Sequence, residues 1–202
     1  KTIRIWDLDA GVCARILNGH TFSVDGVSIS PWGDEVLSSG KDGRMIRWSI
    51  EKRSCIETNP VTREEVTSLK ELADGRIISG HKEGKICVHD QNSLVTSHAW
   101  RGHQSEIWDM DTLSDDQYLM SAGFDGDLKI WMLDKQQEVH TENFGKLYVS
   151  AISKPSSTLV IAGANKQINY LPIDQIKFDQ SGGLSESISK AALVIPKAHR
   201  SH

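Results

Sequence analysis

The sequence predicts an all-β chain of four-stranded antiparallel blades arranged radially. Three observations carry that expectation. The stretch GKDGRMIRW at 40–48 returns as GFDGDLKIW at 123–131, with its glycines, aspartate and tryptophan kept. Aligned on the last residue of that stretch, Trp6, Trp48, His89, Trp131 and Leu171 follow one another at nearly equal intervals. Within each period of about 41 residues lie four short β-type segments separated by Gly, Asp, Asn or Ser clusters, and no window shows a helical apolar period. Four strands per unit with regular turns fit blades around an axis better than the two layers of a sandwich.

In chain order, residues 1–8 (KTIRIWDL) match a third strand and 13–17 (CARIL) a fourth, so 1–18 is a partial blade. The blade at about 19–58 has strands near 24–30, 35–39, 44–49 and 53–58. The blade at 59–98 repeats them near 66–70, 76–80, 85–89 and 94–98, and the blade at 99–141 near 107–112, 118–122, 127–132 and 136–141. The blade at 142–196 is looser, with strands near 147–153, 158–163 and 167–171 and its last displaced to about 192–196. Its insertion, 174–191, is rich in the Gly and Ser of a loop. Residues 197–202, with Ala198-His199, match the start of another repeat.

Gly19-His20 and Arg101-Gly102-His103 open two repeats, and Trp6-Asp7, Trp48-Ser49, His89-Asp90 and Trp131-Met132 close repeats. On these residues the chain resembles the WD-repeat β-propeller family over nearly its whole length. The separation of His20 from Asp42 equals that of His103 from Asp125, and the step from Asp42 to Trp48 equals that from Asp125 to Trp131. Two inner strands missing before Lys1 and flanks left uncovered lead to the expectation of an incomplete portion of a larger propeller, commonly of seven blades in the family, with a small closed propeller or an assembly between chains as the alternatives. The resemblance also implies a buried hydrogen-bond chain in each well-formed blade, from Trp through Ser and His to Asp. Indole can only donate and carboxylate can only accept, so hydroxyl and imidazole suit the positions between them. The complete sets are His20, Ser38, Asp42, Trp48 and His103, Ser121, Asp125, Trp131. In the blade at 59–98 the aspartate position holds Glu83, the tryptophan position His89 and the histidine position Val61 or Thr62, while Ser79 remains. In the last blade Asn165, Ile161 and Leu171 stand in for acid, serine and tryptophan. These two blades are expected to persist by packing alone.

Ser, His and Asp in one set have the composition of a hydrolase triad, but the set recurs and is tied to a tryptophan, which favours a structural role over a nucleophile. The eight histidines are scattered, His199 and His202 being the nearest pair, and no Cys-x-x-Cys or His-Glu-x-x-His spacing occurs, so no metal is expected. The glycines belong to turns and no phosphate-cradling loop is present, so no cofactor is expected. Cys13 and Cys55 lie one period apart, occupy one position in successive fourth strands and read as small packing residues.

The chain has 202 residues with 27 acidic against 23 basic side chains and a formal charge of -4, which argues against nucleic acid as partner; Lys190, Lys197 and Arg200 are too sparse to reverse this. No membrane span and no signal peptide are evident, and three cysteines without paired spacing point to an intracellular, cytoplasmic or nuclear setting. The remaining candidate for function is surface. The resemblance implies a rim formed by the loops entering the first strand and joining the second to the third: Ser23, Asp25 and Lys41; Glu65, Thr67 and Lys82; Glu106, Trp108 and Phe124; Leu147 and Val149. Trp108 and Phe124 are the candidate anchors if exposed. The expected function is a non-catalytic protein–protein interaction scaffold or adaptor that presents this rim to protein or peptide partners in a multiprotein complex. Two alternatives are disfavoured. A propeller enzyme needs a non-repeating polar cluster, and a nucleic-acid binder needs a basic rim. A narrower version makes the rim a reader of basic or modified peptides.

Overall fold

The computed structural model describes residues 1–59, 64–90, 93–113 and 116–145, together with the strand backbones at 147–153, 158–163, 168–172 and 193–195. Among the described residues eighteen strands form five antiparallel sheets, and the only helical turn is a 3₁₀ turn at Leu133–Lys135. The chain divides into two compact units, Lys1–Arg101 and Gly102–His202.

The first unit holds three sheets. β1 (Thr2–Asp7) and β2 (Val12–Asn18) pair alone; β3 (Val24–Ile29), β4 (Glu35–Gly40), β5 (Met45–Ser49) and β6 (Ser54–Thr58) form a meander, as do β7 (Val66–Glu71), β8 (Ile77–His81), β9 (Lys85–His89) and β10 (Thr96–Arg101). In the second unit β11 (Ile107–Leu113), β12 (Tyr118–Gly123), β13 (Asp127–Met132) and β14 (Gln137–Asn143) form one sheet. The other holds β15 (Leu147–Ser153), β16 (Thr158–Gly163), β17 (Ile168–Pro172) and β18 (Leu193–Ile195). β10 lies two to three residues later than the sequence reading of 94–98, because Leu94 stays in the buried connection and Trp100 and Arg101 complete the strand instead of opening the next repeat. The 174–191 insertion and residues 197–202 lie outside the described residues.

Burial follows from sheets stacked face to face. β4, β8 and β12 are buried almost throughout, which is why EVLSS, IISGH and YLMSAG run apolar or small without alternating. In the first unit Val36 faces back with Ile46 and Trp48 onto Ile3 and Leu17 of the β1–β2 hairpin. Its neighbour Leu37 faces forward onto Val66, Leu69 and Ile77. Arg47 on β5 bridges the same two sheets as β3 and β7, its Nη1 donating to Glu35 Oε2 at 2.9 Å and to Glu71 Oε1 at 3.3 Å. In the second unit the backbone of β15 runs beside β11 and β12.

The fourth strands β6, β10 and β14 have no such cover and are mostly exposed. This corrects the reading of Cys13 and Cys55 as packing residues: Cys55 is exposed and Cys13 half-buried, and the buried cysteine is Cys87 on a third strand.

Candidate partner-binding rim

The residues beneath the rim explain its rigidity. In the first four-stranded sheet, Trp48 Nε1 donates to Ser38 Oγ at 2.8 Å, Ser38 Oγ lies 2.8 Å from His20 Nε2, and His20 Nδ1 lies 2.9 Å from Asp42 Oδ2. In the β11–β14 sheet the corresponding distances are 2.9 Å for Trp131 to Ser121, 2.8 Å for Ser121 to His103 and 3.0 Å for His103 to Asp125. The protons have one consistent order. Each imidazole gives its Nδ1 proton to the carboxylate, so Nε2 accepts the serine proton and the serine oxygen accepts from the indole. Each aspartate also caps its loops, taking backbone N–H groups of Thr21 and Arg44 on Asp42 and of Gln104 and Asp127 on Asp125.

Burial works to raise both carboxyl pKa values, but these hydrogen bonds outweigh it and hold Asp42 and Asp125 below the usual value. Burial pushes the His103 pKa down, with Asp125 opposing in part. Ser38 and Ser121 are fully buried with their oxygens engaged, which denies a substrate access to them. Gly19 belongs to this arrangement, because a Cβ there would sit 2.6 Å from Trp48 Cη2.

The β7–β10 sheet does not rest on packing alone, which corrects the expectation for 59–98. Ser79 Oγ lies 2.9 Å from His81 Nε2 and 2.7 Å from His89 Nε2, and His81 Nδ1 lies 3.5 Å from Glu64 Oε2. Imidazole therefore reaches the serine from the end of β8 instead of from the loop before β7. His81 occupies the register position of Gly40 and Gly123. A Cβ on Gly123 would lie 2.3 Å from His103 Nδ1, so that position is empty of side chain where a loop histidine fills the space. Glu83, read as the acid, is exposed, and the carboxylate beside the imidazole is Glu64. Burial lowers His81 and His89 to about 4, leaving both neutral at pH 7. Val61 and Thr62, the sequence candidates for the histidine position, and Asn165 lie outside the described residues, as do the side chains of Ile161 and Leu171.

At the rim one backbone device recurs. The N–H of Lys41 donates to Ser23 O at 3.1 Å, that of Lys82 to Glu65 O at 3.1 Å and that of Phe124 to Glu106 O at 2.8 Å. The first strands carry a register shift beside these bonds, between Val24 and Gly26, Val66 and Ser68, and Ile107 and Asp109, and β15 carries the same shift between Leu147 and Val149. The skipped residues are Asp25, Thr67, Trp108 and Tyr148. A bulge re-aims its extra residue and is frequent next to binding sites. Tyr148 was not among the sequence candidates, which named its neighbours; the bulge leaves the alternation of the strand intact and shows only in the pairing.

The three described rim segments differ in chemistry. Ser23, Asp25 and Lys41 are exposed. Lys82 Nζ pairs with Glu65 Oε2 at 2.9 Å, and Thr67 Oγ1 donates to Gly80 O at 3.1 Å. In the second unit the same slots hold Trp108 and Phe124, whose rings lie 6.2 Å apart at 48°, with 39% and 38% of each residue exposed. The side chains of Leu147 and Val149 are outside the described residues. Among the described residues no three His, Cys, Asp or Glu side chains are grouped to hold a metal ion. No helix among them is long and apolar enough to cross a membrane.

Four-stranded antiparallel meanders repeated once per period, braced by a Trp–Ser–His–Asp chain, define a β-propeller fold. The model of the WD40 family, described as WD domain, G-beta repeat, matches residues 11–49 and 93–132, the two segments that contain the complete chains. Each of these two segments matches a WD40 repeat. The β-propeller domain of Myceliophteria thermophila Cps50 (Swd1) superposes with a TM-score of 0.72 at 17% identity, covering 85% of this chain and 58% of that one. The WD40 repeats of RRP9 give 0.71 at 20% identity, covering 84% and 55%. The fold is thus that of WD40 β-propeller domains.

Among curated proteins, the chain is 26% identical over 140 residues to autophagy-related protein 16 of Arabidopsis thaliana, covering 67% of this chain and 27% of that protein. It is 25% identical over 158 residues to a chromatin assembly factor 1 subunit of Gallus gallus, covering 75% and 24%. Eukaryotic translation initiation factor 3 subunit I of Nematostella vectensis is 24% identical over 173 residues, covering 82% and 54%. The chain spans about a quarter of the length of the first two.

Proposed function

We propose that the protein is a non-catalytic, intracellular interaction scaffold whose rim engages a protein or peptide partner within a multiprotein complex. The observation that carries this reading is the Trp108–Phe124 pair: two large aromatic side chains, each more than a third exposed, sit on a bulge and a turn held by the Phe124-to-Glu106 backbone bond. Aromatic side chains on a rigid support lose little entropy on binding and make frequent interaction anchors. Two of the similar proteins are by name subunits, of chromatin assembly factor 1 and of translation initiation factor 3, which agrees with a life in complexes.

Capture of partners with wild type beside Trp108→Ala and Phe124→Ala tests the reading. At least one partner is expected to be lost with both variants; retention of every partner by both removes the proposed surface. A narrower reading, in which the partner presents a lysine or arginine side chain, is favoured by an acidic residue, Glu106, at the position whose backbone carbonyl accepts from Phe124 N–H. Glu106→Lys is then expected to weaken capture of a basic peptide, and unchanged capture counts against it.

A further inference from the structure

Asn59 is a buried polar residue at a place where the preceding repeat holds an apolar one. Leu17 is buried in one cluster with Ile3, Ile46 and Trp48. One period further on, Leu17 becomes Asn59, Ile3 becomes Met45, Ile46 becomes Cys87 and Trp48 becomes His89. These four line a cavity of about 200 Å³. Its wall is apolar at Met45, Val66, Cys87 and Leu94, all buried, and its exposed lining residues, Glu64 and Val95, mark the side open to solvent. An apolar cavity of about 150 Å³ is enough to admit benzene.

The Asn59 amide is oriented by a hydrogen bond of its own. Met45 N–H donates to Asn59 Oδ1 at 2.6 Å, which commits the oxygen to the backbone and turns the Nδ2 end away from it. The residue is 8% exposed, yet Nδ2 makes no hydrogen bond with the described residues, and it retains open surface. A buried N–H group without an acceptor carries a desolvation cost, which an acceptor on a ligand removes. The other polar groups of the lining are engaged. His89 Nε2 lies 2.7 Å from Ser79 Oγ, His89 Nδ1 lies 3.4 Å from Thr96 Oγ1, and Lys85 Nζ neutralises the Glu64 carboxylate at 3.0 Å. A charged ligand therefore gains nothing here, and the one group in need of a partner is a neutral donor.

We infer that this cavity binds a small, neutral aromatic ring with an acceptor atom in the ring, of the pyridine type, which accepts from Asn59 Nδ2 while its faces lie against Met45, Val66, Cys87 and Leu94. The site belongs to the first unit and makes no use of Trp108 or Phe124, so it stands or falls separately from the rim.

Titration of the intact protein with pyridine and with benzene, followed by amide proton–nitrogen correlation NMR, tests this. The two rings match in size and differ in the acceptor. Saturable pyridine binding is expected at a dissociation constant on the order of 1 mM, with the side-chain N–H signals of Asn59 shifting downfield for pyridine and not for benzene. Asn59→Leu restores the residue of the preceding repeat and deletes the donor, so the ratio of pyridine affinity to benzene affinity is expected to fall about fivefold, the worth of one neutral hydrogen bond. His89→Trp fills the cavity from within and is expected to weaken both rings at least tenfold. No saturable pyridine binding, unmoved Asn59 side-chain signals, an unchanged ratio in N59L or retained binding in H89W would each overturn the inference. If neither variant folds, the Asn59 signals of the wild type decide alone.

Discussion

Replacing Trp131 with Phe keeps an aromatic ring on β13 and deletes the N–H that donates to Ser121 over 2.9 Å. Two losses add. Ser121 is fully buried, and a hydrogen bond between neutral groups in such a place is worth about 1 kcal/mol net. Trp131 is 4% exposed, and the smaller ring leaves a deficit of roughly 40 Å³, which at about 24 cal/mol per Å³ costs about 1 kcal/mol more. The expected destabilisation is about 2 kcal/mol. Urea unfolding followed by far-ultraviolet circular dichroism measures it without relying on the deleted fluorophore.

A double-mutant cycle with Ser121→Ala then separates the two parts. The hydrogen bond appears as a coupling of about 1 kcal/mol, and the volume term does not. His103 Nε2 remains within 2.8 Å of Ser121 in W131F, so the hydroxyl keeps its acceptor and the coupling reports the indole alone. A coupling near zero would mean that the indole merely fills space, and the account of the hydrogen-bond chain would be wrong for this sheet.

Two further outcomes follow from buried charge. Arg47 joins Glu35 to Glu71, whose side chain is 1% exposed, so Arg47→Met strands a buried carboxylate and is expected to cost about 3 kcal/mol or more in the same unfolding assay. Adding Glu71→Met is expected to recover at least half, and a double variant no better than the single would show that the pair does not matter. Stability is also expected to fall on acidification: His81 and His89 titrate near 4 in the folded protein against 6.5 unfolded, so the unfolded chain binds more protons between those values. Their contribution is complete above pH 6.5 and is lost as pH falls towards 4, by on the order of 3 kcal/mol for one such group, and a flat profile from pH 7 to 5 would contradict their burial as neutral rings.

The fold was legible because its determinants repeat. The near-constant spacing of Trp48, His89 and Trp131, with turn residues between short apolar runs, placed most strands within two residues of their observed ends. β10 escaped because the period carries no information about a connection that buries Leu94 before pairing begins. At the rim, sequence identified the loops that the Lys41, Lys82 and Phe124 backbone bonds close, yet the exposure of Trp108 and Phe124 depends on how two rings settle against each other. Periodicity does not contain that information. The bulge at Tyr148 is of the same kind, being a property of a pair of strands and not of either one.

His81 shows why motif matching misled in the β7–β10 sheet. Read position by position, a repeat without the histidine of Gly-His and without the tryptophan has lost its hydrogen-bond chain. Read as a volume, it has not: a buried serine between two strands still needs a donor and an acceptor, and any backbone position facing it can supply the imidazole. Position 81 faces it, as Gly40 and Gly123 do in the sister sheets, and Gly123 must lack a side chain because His103 already fills that space. The glycine and the loop histidine are therefore one choice, and His81 is the other. The same sheet holds an imidazole, His89, where its sister sheets hold the indole that donates to the buried serine.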